Sequence, residues 1–452
     1  MSTLDRSITV TRRAAVGALA AAAAGFAIFG PRGAKDSAGG RIVLDYWEKW
    51  TGHEGRAMQR VVEEFNNSQD RILVRYLVTA GVDQKTLIAI AGGDPPDVVG
   101  LWNYNVPGFA ESNAILPLDD LAPAAGVSLD DYAPGVRPIM LHEGRWWATI
   151  NTGGTTALYW NRAMFREAGL DRAPRTIAEL DEFNRRLTVS DSSRIARTGF
   201  LHSEPGWWTW LWGSSFGGSI FDEGTGRSLI SSPENLEAYR WVQGYARRLG
   251  AGAEQQFRAG FGNYDSPLNA FLSGKVGMVL QGPWLANVIN AHRPNLDYMV
   301  APFPVVDGLY RANEPVGLID TDILVIPRGV RRPEACMEFI AYTQRREVVE
   351  YLSTVHCKNS PLATSSAEFL DRHPNRGVRV HDAIAKSPRS FLCPRTRTWL
   401  QIKEEFEAAF QSMWTLREPA EAALPALHAR AQVILDRAAD QRRRRGQPGA
   451  VA

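Results

Sequence analysis

After residue 40 the chain alternates two hydrophobic patterns. Residues 41–47 and 72–78 are short, β-branched runs, and 95–101 places Val98-Val99-Gly100-Leu101 after Pro95-Pro96. Apolar runs of this length bounded by turn residues predict strands. Between them, Met58, Val61, Val62 and Phe65 recur at helical spacing within 55–67, and 85–91 reads as a second helix stopped by Gly92-Gly93. Strand, helix, strand, helix, strand predicts an α/β fold with a parallel sheet covered by helices. Ligands of such sheets bind beyond the C-terminal strand ends. Those ends carry Trp47 with Trp50, and Trp102 with Asn103 and Asn105.

A second aromatic concentration lies at Glu204-Pro205-Gly206-Trp207-Trp208-Thr209-Trp210-Leu211-Trp212-Gly213, followed by Phe216 and Asp222. Four of the fourteen tryptophans fall in this stretch. Indole offers a flat apolar face and an N–H that needs a partner when buried. Rings beside a carboxylate suit a ligand with apolar faces and hydroxyl edges, which describes a sugar. The competing reading is a helix whose Trp208 and Trp212, at i and i+4, pack inward.

Composition narrows the class. The 452 residues are 44% apolar and 22% charged, ordinary for a globular protein, and the length predicts two domains. Residues 1–39 carry Arg6, Arg12, Arg13, Arg32 and Lys35 against Asp5 and Asp36, a surplus of +3 within a total of +2. The rest of the chain is therefore near −1. Outside the terminal run from Arg442 to Arg445, expected to be disordered, no basic patch argues for nucleic acid.

The N-terminus reads as an export address. Thr11-Arg12-Arg13 precedes an Ala-rich, weakly apolar segment closed by Pro31, which resembles a twin-arginine signal. It is short and mildly apolar for a membrane span. No cysteine lies near it, so a lipoprotein anchor is not expected. Cys336, Cys357 and Cys393 match no metal spacing, and no chemistry is assigned to them. No metal or other cofactor is expected.

The order of short motifs resembles a known family: the extracellular solute-binding proteins of ABC importers, in the sugar-binding class typified by maltose-binding protein. Gly92-Gly93-Asp94-Pro95-Pro96-Asp97-Val98 looks like the entry to the third strand, and Leu116-Pro117-Leu118-Asp119 like the segment after it. Residues 157–170 resemble the family's crossover, and Ala173-Pro174-Arg175-Thr176 its continuation. Phe271-Leu272-Ser273-Gly274-Lys275 with Gly282-Pro283-Trp284, and Glu418-Pro419-Ala420-Glu421, follow in order.

The resemblance implies a two-lobed, type II periplasmic-binding-protein fold, a Venus flytrap with several interlobe crossovers. Lobe one is expected at 41–150 plus 303–345, and lobe two at 151–302 plus 346–440, before a basic tail at 441–452. The implied function is to capture a carbohydrate in the interlobe cleft and deliver it, as a monomer, to a pair of membrane permeases. The implied ligand contacts are Trp102, Asn103 and Asn105, then Glu204, Trp207 and Trp208, and Trp284. Trp47 and Trp50 join them from the first loop, and Arg395 or Trp399 from the C-terminal region.

Two departures stand out. Where the family often has Gly-Gly before a strand, this chain reads Gly317-Leu318-Ile319-Asp320-Thr321-Asp322, so Asp320 or Asp322 is expected to face the cleft. An added carboxylate favours a hydroxyl-rich or cationic ligand and opposes an anionic one. The crossover Ile150-Asn151-Thr152-Gly153-Gly154 lacks the usual proline. A secreted carbohydrate-active enzyme is the main alternative, with acid pairs Asp45/Glu48 and Glu204/Asp222. No metal-hydrolase histidine spacing, nucleophile elbow or P-loop supports an enzyme. A sugar-sensing receptor without transport is the other alternative.

Overall fold

The computed structural model describes residues 39–191 and 194–444. The expected leader lies outside these residues.

The first sheet forms from β1 (Ile42–Glu48), β2 (Ile72–Val78) and β3 (Val98–Trp102), joined by α1 (Gly52–Ser68) and α2 (Val82–Ala91). β1 pairs in parallel with both β2 and β3. Flanked on both edges and covered on its faces, β1 is enclosed from Leu44 to Glu48, hence its near-continuous apolar run. β4 (Thr149–Thr152) completes this sheet with a strand from far along the chain.

The second sheet starts with β5 (Ala157–Asn161). After α3 (Ile177–Leu187) come β6 (Val189–Ser190) and β7 (Ile195–Phe200), then α4 (Pro233–Leu249) and α5 (Ala251–Ala259). β8 (Val276–Gln281), α6 (Leu285–His292) and β9 (Tyr298–Ala301) finish it, in the order β9-β5-β8-β7-β6. The chain then returns as β10 (Asp322–Val325), giving the first sheet the order β2-β1-β3-β10-β4. β10 runs antiparallel to β3, with Asp322 opposite Trp102. Its first residue therefore lies at the edge where the parallel strands end.

α7 (Pro333–Thr343) and α8 (Arg346–Val355) pack on the first sheet, with Val348 and Leu352 in its apolar cluster. The expected boundary at 345/346 cuts between these two helices, whereas α8 stays with the first cluster because its apolar face meets α1 and β4. After α9 (Val378–Lys386), the helices α10 (Trp399–Trp414) and α11 (Ala420–Arg444) bury Phe406, Phe410 and Leu427 in the second cluster. Composition marks the basic tail from 441 as disordered, but α11 continues to Arg444. Its Arg442 pairs with Glu143 and lies 3.6 Å from Glu111, across on the first lobe.

The segments joining the lobes are bonded to one another. Asp320 N–H donates to Gly154 O at 2.8 Å, Thr156 N–H to Leu318 O at 2.9 Å, and Gly153 N–H to Asn359 O at 3.0 Å. Glycine is required here. A Cβ on Gly154 would stand 2.1 Å from Asp320 O, and one on Gly153 would stand 2.6 Å from Asn359. Gly153-Gly154 thus lets three strands of hinge lie side by side.

Candidate functional site

The end of β1 supplies Glu48, Lys49 and Trp50. Glu48 is fully enclosed and accepts from Tyr46 Oη and from Lys49 N–H. Lys49 Nζ reaches Asp322 Oδ1 at 3.0 Å and Glu48 Oε1 at 3.3 Å. Lys358, from the third crossing segment, donates to Asp322 Oδ2 at 2.6 Å and lies 3.8 Å from Glu54. Thr152 Oγ1 donates to the same Oδ2 at 2.9 Å. Burial alone would raise Asp322, but Lys358 and then Lys49 hold it well below the usual carboxylate range. Burial likewise pulls both lysines down, and their carboxylate partners more than reverse this.

Aromatic faces enclose these ammonium groups. Lys49 Nζ is 4.9 Å from the Trp50 ring and 5.4 Å from Trp102, distances at which cation–π attraction operates. Trp102 stacks on Tyr104 with ring centroids 6.0 Å apart. Lys358 Nζ lies 5.5 Å from Trp50 and 5.8 Å from Trp284. One side chain therefore touches aromatic rings carried by both lobes.

On the second lobe, β7 and β8 are parallel, so their C-terminal ends share an edge. The first leads into Glu204–Trp208 and the second into Gly282-Pro283-Trp284. Trp284 lies 6.0 Å from Trp208 and 6.5 Å from Trp207, and Trp207 also meets Tyr264 at 4.9 Å. The helix considered for Trp208 and Trp212 does not form: turns run to Leu211, and a short 3-10 segment spans Trp212–Phe216. The four tryptophans divide instead. Trp210 packs on Trp399 and Trp212 on Trp241 in the core, Trp208 joins that core at its edge beside Trp284, and the exposed Trp207 also meets Trp284. Behind this loop Glu254 is buried, accepting from Ser203 Oγ at 2.8 Å and lying 3.2 Å from His202 Nε2. Burial raises Glu204, with Arg258 opposing.

Asp320 stands between the two sets of rings. Burial, then repulsion from Asp322, push it up to about 6, against Lys358, a hydrogen bond from Trp208, and Lys49. Neither lysine comes within ion-pair distance of it among the described residues. Asn103 is fastened to the same segment, its N–H donating to Thr321 O at 3.2 Å and its Nδ2 to Ile319 O at 3.4 Å. Among the described residues that leaves Asn103 Oδ1 buried without a partner, as is Asn105 Nδ2.

The remaining expected contacts lie elsewhere. Trp47 is buried in the first core cluster, opposite Leu77 and Val99 on the neighbouring strands; Trp50 belongs to the same cluster, but its ring borders Lys49 and Lys358. Arg395 binds Glu223 and the carbonyls of Pro138 and Leu141, at 2.8 and 3.3 Å, which joins the lobes, and it lines a small pocket with Asn103 and Tyr104. Lys49, Lys358, Tyr104 and Tyr264 are not singled out by the sequence. Only Lys49 carries a signal there, by adjoining Trp50. The acid pairs have structural uses: Asp45 binds Arg75 at 2.6 Å, and Asp222 caps its own surface turn.

Comparison with known proteins agrees with this architecture. The family model described as bacterial extracellular solute-binding protein matches residues 49–350. A maltotriose-binding protein of Pyrococcus abyssi is 21% identical over 77% of this chain and 78% of its own. The structure of CpMnBP1 with mannobiose bound superposes with a TM-score of 0.73 at 26% identity, covering 86% of this chain and 98% of that one. UgpB from Mycobacterium tuberculosis, in complex with glycerophosphocholine, gives 0.70 at 22% identity, covering 87% and 98%.

Proposed function

The chain belongs to the bacterial extracellular solute-binding proteins, a family of binding proteins of ABC transporters, and we propose that it captures a carbohydrate between its lobes for delivery to a membrane permease pair. The observation that carries this reading is the position of Lys358 Nζ, 5.5 Å from Trp50 of one lobe and 5.8 Å from Trp284 of the other. Indole faces from both sides stack on pyranose rings, and the carboxylates and amides between them take hydroxyls. A ligand touching both lobes binds the closed form better than the open one, and that difference alone drives closure.

The ligand contacts we assign are Trp50, Trp102, Asn103, Asn105, Glu204, Trp207, Trp208, Trp284 and Asp320. The mannobiose and maltotriose of similar proteins suggest a short oligosaccharide. Residues 1–39 act in this proposal as a twin-arginine leader to the periplasm or cell envelope. The mature protein works there as a monomer without lipid anchor or nucleic-acid partner.

A titration of intrinsic tryptophan fluorescence tests the reading. Mannobiose, maltotriose and related short oligosaccharides should include a saturating ligand with micromolar affinity, about −8 kcal/mol. A flat response across neutral, cationic and anionic sugars, polyols and glycerophosphodiesters overturns it.

A further inference from the structure

The geometry points to a ligand that carries an organic ammonium group, received by Asp320 between Trp208 and Trp284. This rests on the reading of the interlobe cleft as the ligand site and names the chemistry of its ligand.

The protein already holds two ammonium groups in such surroundings. Lys49 and Lys358 both bind Asp322, and each lies over two indole rings. Asp320 repeats the composition without a lysine of its own. The Trp208 indole lies beside it, with its ring 6.0 Å from that of Trp284. The backbone N–H of Asp320 is bonded to Gly154, and a Cβ built on Gly154 would stand 3.3 Å from the Trp284 ring. Asp320 and both rings are therefore neighbours.

Charge points the same way. Two ammonium groups pair with Glu48, Glu54 and Asp322 here, and Asp320 two residues away adds a fourth carboxylate. Two buried oxygens next to Asp320, Thr321 Oγ1 and Asn103 Oδ1, have no hydrogen-bond partner among the described residues, and both can accept from a ligand's donors. An ammonium group supplies the missing charge, stacks on indole and donates N–H or polarised C–H bonds. A neutral hydroxyl supplies a donor, its O–H, but neither the charge nor the stacking. An amino sugar and a choline ester both carry the required group.

Calorimetric titration of the full-length protein and of Asp320→Asn distinguishes the sources. The probes are the glucosamine disaccharide against N,N′-diacetylchitobiose, and glycerophosphocholine against glycerophosphoglycerol. In one pair the ammonium-bearing member should bind at least roughly tenfold tighter to the wild type, and Asp320→Asn should remove most of that preference. The pair that shows it identifies the source. Equal or tighter binding of both members that lack the ammonium group, or a preference untouched by Asp320→Asn, overturns the inference. So does binding of mannobiose or maltotriose with none of the four probes bound, an outcome that leaves the carbohydrate reading standing. Failure of every probe, neutral oligosaccharides included, defeats the underlying reading as well.

Discussion

Asp320 and Asp322 stand two residues apart where the chain enters β10, and their carboxylates lie on opposite sides of the ordinary range. Asp322 is held low by two lysines, one of them 2.6 Å away, while Asp320 is pushed up to about 6 by burial and by Asp322 itself. One carboxylate is finished within the fold. The other keeps its capacity for a partner from outside.

That difference has a signature in stability. A carboxyl raised in the folded state contributes stability below its unfolded value, near 4, which is lost as pH rises through about 6. Ligand-free Asp320→Asn should therefore match the wild type near pH 4. It should be more stable at pH 7.5 by up to about 3 kcal/mol, since each tenfold change in proton affinity between the folded and unfolded chain is worth about 1.36 kcal/mol. Thermal midpoints measured from pH 4 to 8 check this. A difference that does not grow with pH rejects it.

Trp284 is half-buried, and its ring folds back over Gly282, where a Cβ would stand 2.3 Å from it. It packs at the rim of the second core cluster, with its ring toward Lys358. Trp284→Ala should weaken ligand binding at least roughly tenfold, since stacking and enclosure of one large ring are lost. Its thermal midpoint should fall by much less than that of Trp212→Ala, whose ring is enclosed among Phe200, Trp241 and Phe303. Equal losses of stability would assign Trp284 to the core.

Glu254 lies behind the Trp207–Trp208 loop. Burial pushes its carboxyl up, but His202, Ser203 and Arg258 more than reverse this, so it titrates below its ordinary value. A depressed acid contributes stability above its unfolded value, near 4.5, and loses it as pH falls further. Glu254→Gln should therefore cost stability at pH 7 and converge with the wild type in acid. Chemical denaturation at pH 7 and pH 4 measures the difference, and a constant gap would contradict it.

What is legible in the chain follows from how local each feature is. The strands from 42 to 102 are readable because each is a bounded apolar run with its helix beside it. The ring-bearing loops are readable because Trp at the end of a parallel strand has few purely structural reasons to recur. Trp47 is misplaced by the same reasoning. One residue of register turns a side chain from the strand's end into its core. The lysines are not legible. Lys358 meets Asp322 across 36 residues of sequence, in a segment with no periodicity, and only folding brings them together. Arg442 is likewise hidden inside a charge run that composition marks as solvated.

The Lys358–Asp322 pair allows the most direct measurement of how the lobes are held. Both side chains are more than nine-tenths enclosed, and their bond joins the third crossing segment to the first sheet. Removing one member of a buried pair strands the other's charge, at a cost of about 3–5 kcal/mol. Lys49, 3.0 Å from the other oxygen of Asp322, softens that loss. Lys358→Met should thus cost about 2–4 kcal/mol at pH 7, and Asp322→Asn, which strands two ammonium groups, should cost more. The double variant should cost less than the sum of the two, by about 1–3 kcal/mol of coupling. Chemical denaturation of the four proteins closes the cycle. Strict additivity would show that the two charges act independently despite their contact, and the ordered hinge would then owe its geometry to the backbone bonds at Gly153 and Gly154 alone.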